Sequence, residues 1–243
     1  MNNEQQIAFD IGACTGESLD KFRDYDIVFA FEPILPTYNK LLENSLKYPN
    51  VKTYNIAIAD INGESPINLY FYKMLSSFLK IDPDGEFTKV CEEKMAIPPD
   101  ELKFMEMPYL SKLSYSNSLD EARWYTHFYF HMIKERPIVK TMRLDTFMNE
   151  NNINHVDFIK IDTQGYDLKV VKSLGNMIKN VKKIELEVQL KSLYIGSPSK
   201  EEIVNFMAEH NFKLIEKKYD YHEKYHENYR IGYEQDLIFE NEF

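Results

Sequence analysis

The stretch IAFDIGACTG, Ile7 to Gly16, decides how the chain is read. The apolar run Ile7-Ala8-Phe9 ends in Asp10, and glycines follow at Gly12 and Gly16. Leu19 and Phe22 then fall on one face, which predicts a helix over Glu17 to Asp24. A strand, a tight glycine turn and a helix start bring backbone N–H groups close to a ligand. A nucleotide-like cofactor is expected at this turn.

Working outward, Ile27 to Phe31 is a continuous apolar run, the mark of a strand buried on both faces. It ends in Glu32-Pro33. Pro36 to Leu46 reads as a helix with proline in its first turn, where a missing N–H costs little. Val51 to Ile58 reads as a third strand, running into Ala59-Asp60. Strands alternating with helices at this spacing imply parallel βαβ units. Ile67 to Tyr72 alternates as a strand. From Ile81 to Arg136 the alternation breaks, and the stretch carries an aromatic patch from Trp124 to His131. It is expected to be a helical or irregular insertion, either the cover of an acceptor site or a helical plug on the edge of the core. Strand character resumes at Ile138 to Met142, a helix follows at Leu144 to Asn151, and Val156 to Asp162 is a strand ending in an acid. Asp167 to Leu174 is helical and stops at Gly175. Lys182 to Leu190 alternates strongly. Ser199 to His210 is a helix with a capping box in Ser199 and Glu202. Phe212 to Tyr219 and Gln235 to Glu240 close the sheet as an antiparallel pair. No linker interrupts this order, and residues 1–243 are expected to form a single domain.

Of the 243 residues, 44% are hydrophobic, ample for one α/β core. The charge sum of −10 argues against nucleic acid as a partner, because phosphate affinity rests on clustered Lys and Arg. Two cysteines, Cys14 and Cys91, are too few for a disulfide scaffold and fit a reducing compartment. The start, MNNEQQ, has neither the basic end nor the apolar stretch of a signal peptide, and no apolar run approaches membrane-spanning length. A cytoplasmic protein with no membrane partner is expected.

Ligands of an open parallel sheet bind beyond the carboxyl ends of its strands. Four such ends carry an acid: Asp10, Glu32, Asp60 and Asp162. An acid ending the second strand is placed to accept hydrogen bonds from ribose hydroxyls, which is the role expected of Glu32. A nicotinamide cofactor would want glycines two and five positions after Gly12, where Cys14 and Glu17 stand. The phosphate-loop pattern is absent too. A nucleoside without phosphates remains, carrying a cation that an acidic rim tolerates, and S-adenosylmethionine fits. Its adenine can lie against Ala57 to Asp60.

At this point the chain resembles the FkbM family of S-adenosylmethionine-dependent methyltransferases. The matching segments are FDIGACTG (Phe9 to Gly16), FEP (Phe31 to Pro33), NIAIAD (Asn55 to Asp60), RLDTF (Arg143 to Phe147), VDFIKIDTQGYDLKVVKSLG (Val156 to Gly175) and ELEV (Glu185 to Val188). The resemblance implies a Rossmann-like class I methyltransferase fold, α/β, with a seven-stranded, mostly parallel sheet whose last strand is antiparallel. It implies that Asp10, Gly12, Ala13, Thr15 and Gly16 surround the methionine end and ribose, and that Glu32 with Pro33 holds the ribose. Ile58, Ala59 and Asp60 would border the adenine. Asp162 and Gln164 would face the methyl group and the acceptor, with Asp162 also touching the cofactor. The chain departs from the family at Cys14, where many relatives have a small residue or asparagine, and at Asp167, where glutamate is usual.

Methyl transfer to a hydroxyl needs alignment and removal of the acceptor proton. Asp162 is the candidate base. Lys160 lies two residues earlier on the same strand face, as a tuner of that carboxylate or as half of a purely structural ion pair. Glu187 on the next strand either joins them or points outward. No metal site is expected, although Asp162, Gln164 and Glu187 form a cluster compatible with Mg²⁺. The pairs His127/His131 and His222/His226 read as packing and as a solvated turn. The acceptor is expected to be a small molecule or glycan, methylated on a hydroxyl of a saccharide or secondary metabolite. The alternatives are N-methylation of a small amine or protein, or a non-catalytic cofactor-binding scaffold. The aromatic insertion is equally suited to a homodimer face.

Overall fold

A computed structural model describes residues 5–70, 75–86, 132–219 and 234–242. In chain order these hold β1 (Ile7–Ile11), β2 (Ile27–Phe31), α1 (Leu35–Ser45), β3 (Val51–Tyr54), β4 (Ala57–Ile58), β5 (Gly63–Pro66) and β6 (Leu69–Tyr70). They continue with β7 (Ile133–Glu135), β8 (Ile138–Met142), α2 (Leu144–Glu150), β9 (Val156–Ile161), α3 (Asp167–Lys172), β10 (Val181–Gln189), α4 (Lys200–Glu209), β11 (Phe212–Tyr219) and β12 (Glu234–Asn241).

Every residue of β1 is buried, as an unbroken apolar run requires of a central strand. The main sheet has the order β11-β12-β10-β9-β1-β2-β3. β1 pairs in parallel with β2 and with β9, and β9 in parallel with β10. β12 runs antiparallel to both β10 and β11. This is the seven-stranded, mostly parallel sheet with an antiparallel last strand that the sequence predicts. The strand order reverses between β1 and β9, and the crevice at that switch point is where doubly wound sheets bind ligands.

One face of the sheet is apolar. Phe9 meets Phe29, Phe31 and Phe147 edge to face, with ring centroids 5.4, 5.9 and 5.8 Å apart, a geometry that adds to simple area burial. α2, α3 and α4 contribute Leu144, Met148, Val170, Ile203 and Met207 to the same core. On the opposite face Ala8 and Val28 pack with Phe22, and Ala30 packs with Leu19 and Leu41. Farther along it carries Asp10 and Lys160, which are register partners on β1 and β9, and then Glu185, the register partner of Lys160 on β10. Strand alternation places these charges on one face.

Two local expectations are corrected. The helix read over Glu17 to Asp24 is only a single 3-10 turn, Leu19–Phe22. The hydroxyl of Ser18 does not cap it but donates to Asp10 Oδ2 at 2.6 Å. The strand read over Val51 to Ile58 is broken. β3 stays in the main sheet, whereas β4 pairs with β8 in a second, three-stranded sheet that includes β5. Asn55 makes the break, its amide donating to the carbonyls of Glu32 and Pro33, both at 2.9 Å. Asn55→Ala would leave two carbonyls without that donor. It is expected to lower stability by about 1–3 kcal/mol, read as a lower urea midpoint with an unchanged slope.

The capping box is present, with Ser199 and Glu202 each bonded to the other's backbone. The insertion read over Ile81 to Arg136 ends earlier than that range. β7 pairs antiparallel with β6, so the chain is back in the fold before Arg136. Residues 75–86 fold over the carboxyl ends of the strands: Ile81 bridges to Tyr194, Asp82 N donates to Leu193 O at 2.8 Å, and Tyr70, Leu75, Ile81, Leu193 and Tyr194 form a small core of their own. The aromatic patch Trp124 to His131, Cys91, and the turn holding His222 and His226 lie outside the described residues. No helix among the described residues is long and apolar enough to cross a membrane.

Candidate active site

The turn after β1 and the end of β9 are built against one another. Asp162 N donates to Ile11 O at 3.0 Å, and Gly12 N and Ala13 N both donate to Phe31 O, at 3.1 and 2.9 Å. Gly12 sits at φ +79°, and a β-carbon there would come within 1.9 Å of the carbonyl oxygen of Asp162. Glycine is therefore required both by the backbone conformation and by the close approach of β9. Gly16, at φ +94°, ends the turn against Leu19 and Leu41. Between them, Cys14 takes a positive φ of 48°, and burial pushes its thiol up to about 11, so it is not a thiolate at neutral pH. Thr15 turns outward to bond Glu17, while its carbonyl accepts from Asn44 at 2.8 Å.

Glu32 ends β2 on the other side of the turn. Its carboxyl accepts from Ile34 N at 2.8 Å, just ahead of α1. The side chain is only 6% exposed, and burial, only partly offset by backbone N–H groups, raises its pKa to about 7. Pro33 follows it, with its carbonyl tied to Asn55. Ile58 and Ala59 are buried beside it at the end of β4. Asp60 is held twice. Its carboxylate accepts from Tyr166 O–H at 2.5 Å, and its carbonyl from Arg143 Nη1 at 3.0 Å. The same guanidinium grips Asp145 at 2.6 Å and the carbonyl of Ser173 at 3.2 Å. The Asp60 side of the crevice is thus tied to the loop after β9 and to α2.

The centre of the site is an ionic chain across the sheet. Lys160 Nζ lies 3.1 Å from Asp162 Oδ2 and 3.9 Å from Asp10 Oδ1. Burial alone would lower the lysine pKa, but the carboxylates of Asp162 and Asp10 outweigh it and raise it well above its usual range. Lys160 is therefore a fixed ammonium, not a base. Asp10 is fully buried, and burial raises its pKa in spite of Lys160 and Ser18. Gln164, at φ +54°, is pinned on every side. Its amide nitrogen contacts Glu187 Oε2 at 2.8 Å and Asp162 Oδ1 at 3.3 Å. Its amide oxygen accepts from Tyr194 O–H at 3.0 Å, and its backbone carbonyl from Ser77 Oγ at 2.8 Å. Glu187 therefore points into the cluster. Burial, with Asp162 and Glu234 nearby, raises its pKa well above the usual range. Asp162 is the exposed member of the group, with 34% of its side chain open.

Asp10 and Asp162 thus flank Lys160, which is in contact with Asp162, while Glu32 follows β2 and Asp60 follows β4 of the second sheet. Ser18, Arg143, Tyr166 and Tyr194 were not anticipated. Each reaches the site from a separate segment, and no periodicity in the sequence marks them. Among the described residues no group of three His, Cys, Asp or Glu is arranged to hold a metal.

The family model described as Methyltransferase FkbM domain matches residues 10–214. No curated protein matches the sequence. Among solved structures, the chain is similar to the methyltransferase FkbM of Methylobacillus flagellatus KT, at 12% identity and a TM-score of 0.47 over 97% of this chain and 43% of that one. It is similar to the magnesium protoporphyrin IX methyltransferase ChlM of Synechocystis PCC 6803 with bound SAM, at 8% identity and 0.47 over 99% and 72%. It is also similar to TrmK of M. capricolum with S-adenosyl-homocysteine, at 10% identity and 0.43 over 98% and 63%. The chain thus spans less than two thirds of the TrmK chain and less than half of the FkbM chain.

Proposed function

The chain belongs to the FkbM family of S-adenosylmethionine-dependent methyltransferases, and from that premise we propose that it methylates a hydroxyl of a saccharide or small secondary metabolite. One observation supports the reading: Glu32 and Asp162 follow β2 and β9, the two strands that flank β1, and the backbone at the end of β1 bonds to both strand ends.

The donor set fits a nucleoside that carries a cation. Glu32 offers a buried carboxyl to vicinal ribose hydroxyls, and the N–H groups of Gly12 and Ala13 are already bonded to Phe31 O. Asp10 Oδ1 is buried without a hydrogen-bond partner, and the carboxyls of Asp162 and Glu32, which follow β9 and β2, would favour a ligand that carries positive charge. Ala13, Thr15 and Gly16 shape the wall on the methionine side; Pro33, Ile58, Ala59 and Asp60 shape the adenine side. S-adenosylmethionine, when bound, supplies a methyl carbon activated by its sulfonium. The protein supplies alignment and exclusion of water. Asp162 accepts the proton of the acceptor hydroxyl as it attacks. Lys160 and Gln164 act through Asp162, fixing one oxygen each. The acidic rim and the net charge of −10 favour a neutral acceptor over a nucleic acid. On the same reading residues 1–243 form one domain, with 81–136 as the cover of the acceptor site.

The test is calorimetric binding of S-adenosylhomocysteine, followed by an acceptor screen read by its release from S-adenosylmethionine. Turnover with saccharide or polyketide pools is the expected result. Turnover with amine or peptide pools alone would overturn the hydroxyl assignment, and an absence of cofactor binding would overturn the whole reading.

A further inference from the structure

The side chain of Gln189, the last residue of β10, has no hydrogen-bond partner among the described residues. Both the nitrogen and the oxygen of its carboxamide are buried and make no hydrogen bond, and the residue is 8% exposed. A buried amide in this state costs free energy that an apolar residue of similar volume would not. Alternation along β10 decides where it points. Ile184, Leu186 and Val188 enter the main core, so Glu185, Glu187 and Gln189 share the other face. That face, at the carboxyl end of the strand, is the ligand side of a doubly wound sheet. Glu187, two residues back, is already drawn towards Asp162 through Gln164. Across β12 the register partners of Glu187 and Gln189 are Asp236 and Glu234.

We propose that Gln189 is the specificity residue of an acceptor subsite that recognises a hydroxyl of a neutral, polyhydroxylated ring while another hydroxyl of the same ring is held at Asp162. The proposal rests on the methyltransferase reading above. An amide has both a donor and an acceptor to offer, and a hydroxyl uses both. Strand geometry puts Gln189 roughly 8 Å from Asp162, two residues along and one strand over, which spans a hexopyranose with its substituents. Carboxyl groups outnumber the ammonium of Lys160 on this face, with Asp162, Glu187, Glu234 and Asp236 all on it, so a neutral ring is favoured over a carboxylated or phosphorylated one.

The proposal separates from a structural role for Gln189 by the sign of the stability change. A glutamine that holds the fold together costs stability when replaced. One that waits for a ligand does not, and its replacement by an apolar residue of similar length leaves stability equal or higher. For Gln189→Met we expect a thermal midpoint equal to or above that of the parent protein, and S-adenosylhomocysteine affinity within a factor of two. In a panel of neutral methyl hexopyranosides and the matching uronates, we expect turnover of neutral members only. The variant should raise KM for the best of them tenfold or more and leave kcat within a factor of two. A lowered midpoint, an unchanged KM, preference for uronates, or no turnover of any neutral glycoside would each overturn the subsite. Absence of S-adenosylhomocysteine binding in the parent protein would instead remove the methyltransferase reading, and the subsite with it.

Discussion

Glu32→Ala is expected to weaken S-adenosylhomocysteine binding by roughly 100-fold or more. Two hydrogen bonds from hydroxyls to a carboxylate are worth about 1.5–3 kcal/mol each, and about 1.4 kcal/mol is a tenfold change. The pH dependence sharpens the test. Burial raises the Glu32 pKa to about 7, while two ribose hydroxyls are best accepted by the ionised form. Ligand binding therefore has to expel the proton below neutrality. Affinity should fall by up to tenfold per pH unit below about 7 and level off above it. Glu32→Gln, which cannot ionise, should bind weakly and show a flat profile between pH 5 and 8. A wild-type profile that is flat over the same range, or an alanine variant with unchanged affinity, would remove Glu32 from the ribose site.

The same shift fixes the sign of its effect on folding. The folded-state pKa lies above the ordinary 4.5, so the folded protein binds this proton more tightly than the unfolded chain does. The stability supplied by the protonated group is fully present below pH 4.5 and is lost as pH rises through about 7, a difference of about 3 kcal/mol for this one group. Because the ligand favours the ionised form, S-adenosylhomocysteine should raise the thermal midpoint more at pH 8 than at pH 6.

Residues that act through local pattern were legible in the sequence. Ile27 to Phe31 could only be a strand covered on both faces, and Ser199 with Glu202 could only be a helix start, because both signals are complete within a few positions. The nearness of Asp10 and Asp162 was legible for a related reason: β1 and β9 are parallel neighbours, so their carboxyl ends lie side by side, with Lys160 between the two acids. The failures share a cause. The helix after Gly16 shrank because Ser18 serves Asp10 rather than the helix, and the third strand broke because Asn55 serves the Glu32 turn. In both cases a side chain answers to a residue far away in sequence. The clamps on the site are invisible for the same reason. Tyr166 meets Asp60 across 106 positions, and Tyr194 meets Gln164 across 30. Gln189 hid in an alternating strand, where its polarity is unremarkable until its lack of partners is seen.

For Asp162→Asn a drop in kcat of about 10²- to 10⁴-fold is expected, the range that general-base catalysis supplies, with S-adenosylhomocysteine affinity kept within severalfold. Asparagine keeps the shape, and its single oxygen can still accept from Lys160 while its NH2 turns towards the longer Gln164 contact, so the loss is chiefly in charge and proton-accepting power. The competing role, an ion pair that only secures the end of β9, predicts the opposite division. Lys160 would lose one of its two carboxylate partners, at 3.1 Å, and keep the one at 3.9 Å, so the thermal midpoint would fall while kcat survived. Lys160→Met provides the complement. It leaves Asp10 fully buried without its nearest cation, and breaking a buried pair from one side is costly. That variant should lose midpoint and kcat together, whereas Asp162→Asn should lose kcat alone. Wild-type turnover in Asp162→Asn would take Asp162 out of the chemistry and leave the cluster Asp10, Lys160 and Asp162 as a structural clasp between β1 and β9.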